Sequence, residues 1–349
     1  MKSKEKDEHL SARISGVLQS HQRMLGDGVR NKLLFEALKS CVSGETRFLD
    51  IGAGTGAWAI LAAKLGAKRV VAVEIEESLI PIIFRHAQEN GVADKIEIIH
   101  ANSNHAKIRG KFDLIVSELF GGDAFGTETI NSFIDLRNRF LAPNGVLIPQ
   151  KLAMFAVPAR VEKTIQEIPA GLPIKCEFLK SLKLNYSQDF FISERPKIKF
   201  LAEPKELKEI DFRMVTTAPS LNNLSLSWHL ANLSEANSFA VFNRSTFTDE
   251  IKMDGFASQS WGVEVYEFQP FAQTAGEIRF NLTIERHKGN WSVSLPSNPE
   301  IPPQSYSPVF AFARIKMAQK ESRHRKFNPP KNDGEKADSK SNRKALKKT

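Results

Sequence analysis

The strongest constraint on the fold is an alternation of strand-like and helix-like segments between residues 46 and 157. The short β-rich runs RFLDIG, KRVVAVE, KIEIIHAN and FDLIVSEL predict strands. The runs between and after them, AWAILAAKLG, ESLIPIIFRHAQEN and ETINSFIDLRNRFL, predict helices. Strands that alternate with helices form a parallel sheet covered on both faces, so this unit is predicted to be α/β, doubly wound and Rossmann-like.

The segments on either side of this unit have different patterns. Residues 1–45 carry apolar side chains at near-helical spacing, and MLGDG predicts a helix break near Gly26. Residues 158–315 contain successive β-rich runs separated by polar turns, which predicts an antiparallel β domain. These runs are LSLSWHLANL, SFAVFNRSTF, WGVEVYEFQPF, IRFNLTIERH and WSVSL.

The basic character of the chain is concentrated in residues 316–349. The net charge is +9, and this segment alone holds twelve Lys and Arg against four Asp and Glu. It has few apolar side chains with which to offset its ordering entropy, so we expect it to be disordered. Such a tail either contacts nucleic acid or acidic protein, or only improves solubility. The nearly neutral remainder is not typical of a nucleic-acid binder.

Composition also limits where the protein works. No apolar run is long enough to cross a bilayer, and the charged start MKSKEKDEHL predicts no secretory signal. Cys41 and Cys176 are too few for a disulfide framework and lack metal-ligand spacing. We therefore expect no membrane contact and a reducing compartment: the cytoplasm, or the nucleus if the source is eukaryotic.

A glycine-rich turn follows the first predicted strand. Asp50-Ile-Gly52-Ala-Gly54-Thr-Gly56 resembles a dinucleotide-binding turn, with Ala57 in place of the third glycine of that fingerprint. However, a carboxylate at Asp50 would repel a pyrophosphate and suits a cationic or amino-bearing ligand better. Glu74 ends the second strand, where an acid accepts hydrogen bonds from ribose hydroxyls. The pattern favours S-adenosylmethionine over NAD.

A second candidate site is SELFGGDAFGTE, residues 117–128, which follows the fourth strand. The carboxyl edge of a parallel sheet is where ligands bind in open α/β folds. Glu118 and Glu128 could grip a guanidinium through paired, charge-assisted hydrogen bonds. The alternative is an ordinary solvated loop in which Glu128 favours the start of a helix. The residues alone leave both interpretations open.

The chain resembles the protein arginine N-methyltransferases in several segments that occur in family order. These are MLGDGVR, FLDIGAGTG with VVAVE, SELFGGDAFGTE, LAPNGVLIPQKLAMFAVP and SQSWGVEVYEF. The likeness spans roughly residues 15 to 315. It implies a class I S-adenosylmethionine-dependent methyltransferase domain, then an antiparallel β-barrel domain, and transfer of a methyl group to arginine in a protein substrate.

The resemblance also implies roles for individual residues. Arg30 would pair with the cofactor carboxylate, Glu74 would hold the ribose, and the glutamate pair would grip the substrate arginine. The implied cofactor-binding residues are Met24, Arg30, Asp50, Gly52, Gly54, Gly56, Glu74, Ser103 and Asn104. The implied catalytic residues are Glu118 and Glu128, with Ser260 and Trp261 as substrate-binding residues. A dimerisation arm around residues 165–200, and hence a homodimer, is implied as well.

The chain departs from the family pattern at three places. Glu118 and Glu128 are ten positions apart, whereas the family loop has nine. Ser260 stands where the family has histidine, and a neutral hydroxyl cannot pair with a carboxylate as an imidazolium can. The stretch SARISGVLQSHQR has no Phe, Tyr or Trp to cover the cofactor, and His21 is its only ring. The departures leave two alternatives: a methyltransferase of RNA or of a small molecule, or a catalytically silent binding protein.

Overall fold

The computed structural model describes residues 2–120, 124–162, 175–191, 196–285 and 288–327. Two helices come first: α1 (Lys2–Gly26) and α2 (Gly28–Cys41). Asp27 separates them, because its backbone leaves the helical region and its carboxylate accepts the amide of Arg30 at 3.1 Å. That contact is an N-cap, which satisfies one of the free amides at the start of α2. The helix break predicted near Gly26 is confirmed.

A five-stranded parallel sheet forms the α/β unit. Its elements are β1 (Arg47–Ile51), α3 (Ala57–Lys64), β2 (Arg69–Glu74), α4 (Ile80–Glu89), β3 (Ile96–His100), β4 (Phe112–Ser117), α5 (Thr127–Phe140) and β5 (Leu141–Ile148). The strand order is β3-β2-β1-β4-β5, with all neighbours parallel. The chain therefore winds outward in both directions from the β1–β4 pair. A crevice opens beyond the carboxyl ends of the strands at such a reversal, and ligands bind there.

Two antiparallel sheets form the β domain. The larger sheet has the order β7-β13-β11-β6-β8, with β12 paired to β11 and β9 paired to β6; the smaller has the order β10-β14-β15-β16. The strands are β6 (Lys151–Val161), β7 (Gln188–Phe190), β8 (Ile198–Phe200), β9 (Lys205–Asp211), β10 (Leu224–Leu230), β11 (Ser238–Thr246), β12 (Lys252–Asp254), β13 (Val263–Glu267), β14 (Gly276–Glu285), β15 (Lys288–Ser294) and β16 (Gln304–Tyr306). The predicted antiparallel domain is confirmed, but it begins with β6 at Lys151 rather than at residue 158.

An aromatic stack joins the two units into one core. Phe120 follows β4, Phe133 lies on α5 and Phe212 follows β9, and all three are buried. The ring centroids of Phe120 and Phe133 are 5.2 Å apart, and those of Phe133 and Phe212 are 4.2 Å apart. Trp261 of the β domain meets the Phe120 ring edge-on at 5.7 Å. Such pairs contribute about 0.5 to 1.5 kcal/mol each beyond their burial. They therefore hold the loop after β4, which we call the acidic loop (residues 117–128), against the β domain.

The expected dimerisation arm and the expected disordered tail both contain helical residues. Within the expected dimerisation arm, residues 175–191 contain α6 (Glu177–Lys183) and β7, while residues 163–174 lie outside the described part. The expectation of a disordered tail from residue 316 is wrong as far as Phe327, because α7 spans Pro308–Phe327. Its Lys, Arg, Gln, Ala and Glu side chains have high helix propensity, and buried Ala311 anchors its first turns. Residues 328–349 lie outside the described part.

Among the helices of the described residues, none combines the length and the apolar character needed to span a membrane.

Candidate active site

The turn between β1 and α3 requires its three glycines. Gly52, Gly54 and Gly56 have φ of 74°, 58° and 81°, a region that other residues rarely adopt. A Cβ at Gly54 would also lie 2.6 Å from the His21 ring, and one at Gly52 would lie 2.7 Å from Leu119. The turn is therefore packed tightly between α1 and the loop after β4.

Four amides of this turn donate to other groups of the protein. Gly52 and Ala53 both donate to the Val73 carbonyl, at 2.9 and 3.0 Å, and Gly56 donates to Ala53 at 2.8 Å. Gly54 donates to Oε2 of Glu74 at 2.7 Å. A phosphate-binding turn instead presents free amides to the anion. The geometry therefore disfavours a pyrophosphate, in agreement with the carboxylates of Asp50 and Glu74 beside it.

A cavity of about 440 Å³ opens next to the turn. We call it the turn cavity; its charged or titratable lining residues are His21, Arg30, Lys32, Asp50 and Glu118. Asp50 is only 1% exposed, and its carboxyl accepts the Ala59 amide at 3.1 Å. Burial raises the pKa of Asp50 to about 8 against the effect of that amide, and the charges of Glu118 and Glu74 raise it further. The pocket would stabilise a cationic ligand beside Asp50.

Arg30 and Glu118 form a bidentate ion pair at one side of the turn cavity. Their side chains are 7% and 11% exposed, and Arg30 Nε donates to Glu118 Oε1 at 2.9 Å while Nη2 donates to Oε2. Trp58 Nε1, from the first turn of α3, donates to Oε2 as well at 3.1 Å. Arg30 Nη1 also donates to the Met24 carbonyl and to Asn31. These contacts use four of the five N–H groups of the guanidinium.

Asp27 links the helix break to the β domain. Its carboxylate is fully buried and accepts the hydroxyls of Ser258 and Ser260 and the Ser260 amide. Burial alone would raise the pKa of Asp27, but these donors and the Arg30 amide hold it below its ordinary value. Ser260 stands at the family's histidine position, and its hydroxyl does reach a carboxylate. This role of Asp27 was not predicted from the sequence.

A second cavity, of about 470 Å³, extends from this ion pair into the β domain. We call it the β-domain cavity. Met24, Arg30 and Glu118 line both cavities, so they mark the junction. Ser260 and Trp261, which the resemblance assigns to substrate binding, both line the β-domain cavity. The hydroxyl and the amide of Ser260 donate hydrogen bonds to Asp27.

The structure gathers some of the predicted cofactor residues and separates others. Met24, Arg30, Asp50, Gly52 and Gly54 line the turn cavity, while Gly56 caps α3. Glu74 lies behind the turn, where its other oxygen accepts the amides of the next two residues, both at 2.8 Å. Ser103 and Asn104 lie in a single helical turn after β3 and line neither cavity.

The two glutamates of the acidic loop occupy different environments. Glu118 lies at the junction, whereas Glu128 is exposed in the first turn of α5 and lines neither cavity. Residues 121–123 of this loop lie outside the described part. A Trp at the second position of α3 was a signal that the sequence argument overlooked, since Trp58 supplies a donor to Glu118.

The α/β unit alone matches the model of a methyltransferase family. The profile of "Ribosomal protein L11 methyltransferase (PrmA)" matches residues 26–149, which is the α2-to-β5 region without the β domain. That region contains the glycine turn and both acids beside it. The fold and the site thus define the class of S-adenosylmethionine-dependent methyltransferases.

Comparisons that extend through the β domain are more specific. The chain is 27% identical over 245 residues to protein arginine N-methyltransferase 6 of zebrafish, covering 66% of this chain and 69% of that protein. It is 33% identical over 151 residues to the ribosomal protein arginine N-methyltransferase rmt3 of Schizosaccharomyces pombe, but over only 27% of that protein's length. The solved Trypanosoma brucei PRMT1 enzyme–prozyme complex with AdoHcy has a TM-score of 0.68 at 20% identity, covering 82% of this chain and 96% of that one. The chain is therefore similar to protein arginine N-methyltransferases through both the α/β unit and the β domain.

Proposed function

We propose that this protein transfers a methyl group from S-adenosylmethionine to a guanidinium nitrogen of arginine in a protein substrate. The observation that carries the proposal is the junction of two cavities at Arg30 and Glu118. One cavity adjoins a glycine turn suited to the cofactor, and the other opens from the same ion pair into the β domain. A donor and an acceptor bound in the two cavities would meet at that pair.

The turn cavity fits the polar end of S-adenosylmethionine. Arg30 keeps one free N–H and can hold a carboxylate, while Asp50 faces the same space and can hold an ammonium group. The satisfied amides of the turn suit a ligand without phosphates. When bound, S-adenosylmethionine supplies a methyl group activated by its sulfonium sulfur. Ribose recognition by Glu74 and adenine contacts by Ser103 and Asn104 remain predictions, since these residues line neither cavity.

Glu118 is the residue best placed to orient the acceptor. Its carboxylate carries three hydrogen bonds at the junction, two of them from Arg30. A carboxylate accepts about four in total, so an arriving guanidinium can join or replace Arg30. Holding the guanidinium on one side leaves a nitrogen on the other side facing the donor, which is catalysis by positioning and charge. Glu128 would have to move from the α5 surface to contribute to the same grip.

The ion pair suggests an order of binding. While Arg30 holds Glu118, neither side chain is fully available to its own ligand. A cofactor carboxylate that draws Arg30 towards the turn cavity would release Glu118 for the substrate. We therefore expect the cofactor to bind before the acceptor arginine.

The experiment that tests the proposed function uses labelled S-adenosylmethionine and an arginine-rich peptide. Wild type should transfer label, Glu118→Gln should lose about a hundredfold or more in kcat, and calorimetry should show that this variant still binds cofactor. Glu206→Gln, an exposed acid on β9 that lines neither cavity, is the matched control. Cofactor binding without transfer to peptide or to cell extract would refute the arginine assignment.

The same experiment decides the role of Glu128. If Glu128 also holds the acceptor guanidinium, the kcat of Glu128→Gln should fall as the kcat of Glu118→Gln does. Activity close to wild type in Glu128→Gln would show that the exposed position seen here is also its position during turnover.

A further inference from the structure

Arg139, near the end of α5, holds the turn that follows β3. Its Nη2 donates to the Ser103 carbonyl at 2.5 Å, and its Nη1 donates to the Ala106 carbonyl at 3.0 Å. Ser103 begins this turn and Ala106 follows its last residue, so we call residues 103–106 the β3 turn. One guanidinium therefore fixes both ends of the β3 turn, through a planar fork of donors that lysine lacks.

Arg139 is itself held on two sides by its own helix. Its Nε donates to both carboxylate oxygens of Asp135, at 2.8 and 2.9 Å, and Nη2 pairs with the same carboxylate. The guanidinium also lies over the ring of buried Phe140, with Cζ 4.4 Å from the ring centroid. Because both partners belong to α5, the position of this helix determines the position of the β3 turn.

The β3 turn carries polar groups that the protein leaves unpaired. The Asn104 amide donates to the Asn102 side chain at 2.9 Å, which keeps the turn closed. Within the described residues, however, the Ser103 amide and the Asn104 side chain have no hydrogen-bond partner. A free backbone donor next to a carboxamide can bind the edge of a heterocycle that offers an acceptor beside an amine, as adenine does.

The β3 turn lies at the same edge of the sheet as the glycine turn. His100 is the register partner of Glu74, and the Ala101 amide donates to the Glu74 carbonyl at 3.0 Å. The Glu74 carboxylate in turn accepts the Gly54 amide of the glycine turn. Because β2 lies between β1 and β3, the two turns are two strand spacings apart, about 10 Å. A cofactor whose polar end lies at the glycine turn must therefore extend across β2, which brings its base to the β3 turn.

We propose that Arg139 is a positioning residue for the base of the cofactor. It holds the β3 turn so that the Ser103 amide and the Asn104 side chain select adenine over a base with the opposite hydrogen-bond pattern. The inference rests on the proposed function, because it takes S-adenosylmethionine as the cofactor, and it adds the residue on which selection of the base depends. Arg139 acts through the turn and takes no part in the methyl transfer.

The test measures, by calorimetry, the affinities for S-adenosylhomocysteine and S-inosylhomocysteine, which differ only in the base. Hypoxanthine carries a donor at N1 and an acceptor at O6, the reverse of adenine, so it opposes the donor of the Ser103 amide. Wild type should prefer the adenine compound about tenfold or more. Arg139→Ala should bind that compound about tenfold more weakly and should lose most of the preference, because a displaced turn no longer aligns its groups with the base. Arg139→Lys should recover little of the preference, since one ammonium cannot hold both carbonyls.

Arg137 provides a matched control on the same helix. Its Nη1 donates to the Phe212 carbonyl of the β domain at 2.7 Å rather than to the β3 turn. Arg137→Ala should therefore lose stability as Arg139→Ala does, yet keep the affinity and the preference for adenine. Asp135→Asn, which removes the charge that anchors Arg139, should weaken the preference to a smaller degree, and it decides the test if Arg139→Ala does not fold.

The possible failures are distinguishable because no methyl acceptor is present. If wild type binds both compounds equally, or if Arg139→Ala and Asp135→Asn keep the full preference, the positioning role is overturned while the cofactor assignment stands. An equal loss of preference in Arg137→Ala would also overturn it, since the loss would then follow from general loosening of α5. If wild type does not bind S-adenosylhomocysteine at all, the proposed function is refuted together with this inference.

Discussion

A single cation, Arg30, is shared between the two halves of the site. It belongs to the first turn of α2, and its guanidinium pairs with Glu118 while its amide is capped by Asp27. An ion pair this buried contributes little net stability, but removing one member leaves an uncompensated charge. Its position at the junction therefore indicates a role in ligand exchange rather than in folding.

Replacing Arg30 tests this shared role. We expect Arg30→Ala to weaken cofactor binding at least tenfold and to cost about 3 to 5 kcal/mol in the free energy of unfolding, because Glu118 is left without its cation. Arg30→Lys should recover most of the stability but little of the affinity, since an ammonium lacks the bidentate fork. Calorimetry and urea titration measure the two quantities, with Lys39→Ala on the exposed face of α2 as the control. Full cofactor affinity in Arg30→Ala would contradict the assignment.

Asp50 makes cofactor binding depend on pH. Its pKa is raised to about 8, so the folded protein keeps this carboxyl protonated well above the range in which it ionises in the unfolded chain. The contribution of Asp50 to stability is thus present at low pH and is lost as pH rises towards about 8. A cationic ligand favours the ionised form, so affinity for S-adenosylmethionine should rise with pH up to about 8 and binding should release a proton.

Calorimetry in buffers of different ionisation enthalpy measures that proton release. Asp50→Asn should bind more weakly and should lose both the pH dependence and the proton release. The uncharged-sulfur product, S-adenosylhomocysteine, should show a smaller effect. Equal pH profiles for wild type and Asp50→Asn would show that another group is responsible.

Hydrogen bonds connect the helix break between α1 and α2 to the loop before β13. Asp27 accepts donors from Ser258 and Ser260 in addition to capping α2. Its pKa is lowered, so its contribution to stability is present at neutral pH and is lost as pH falls through the folded value. This contact sets the position of α1 over the turn cavity.

Substituting Asp27 should therefore affect both stability and the cofactor site. Asp27→Ala leaves two hydroxyls and two amides without their acceptor, so we expect a loss of about 2 to 4 kcal/mol in the free energy of unfolding. Ser260→Ala should cost less, about 1 kcal/mol, because Ser258 and the backbone still donate. Hydrogen exchange should speed up in α1 for Asp27→Ala but not for Asp94→Asn, an exposed control. An unchanged rate of hydrogen exchange in α1 would show that the Asp27 contact does not hold this helix in place.

Sequence patterns predicted the elements that have strong periodicity. The five predicted β-rich runs of the β domain and the first four strands of the α/β sheet are present, because alternation reports directly on burial. Strands β5 to β9, β12 and β16 were missed; β7, β8, β12 and β16 are three residues each, and so short a run carries no period. The helical tail was missed because its helix depends on propensity and on the anchored first turns of α7, which a composition argument ignores.

The site was predictable only where local geometry decides it. Asp50, Gly52 and Gly54 lie together beside the turn cavity because they belong to one strand-to-turn connection. The position of Glu128 depends on where α5 begins after an irregular loop, and no spacing rule supplies that.

Exposed apolar side chains lie on α6 and α7, two helices that contact each other. Phe178 and Leu179 of α6, with Phe310 and Phe312 of α7, are each about half exposed. Leu18, Leu25 and Val29 on the first two helices, and Phe84 on α4, are exposed as well. The α6 residues fall within the segment that family resemblance assigns to a dimerisation arm. Exposed apolar side chains on two neighbouring helices are typical of an interaction site.

We therefore propose a homodimer in which the α6 side chains of one protomer cover apolar side chains on the other. Phe178→Glu together with Leu179→Glu should convert the dimer to a monomer, because it places charges where apolar surface would be buried. Analytical ultracentrifugation at micromolar concentration measures the state, and circular dichroism checks that the variant stays folded. Met214→Glu, a more exposed apolar residue of the β domain outside this patch, should leave the dimer intact. A monomeric wild type, or a dimer that survives the α6 substitutions, would rule out this interface, and the α6 and α7 side chains would then need another partner.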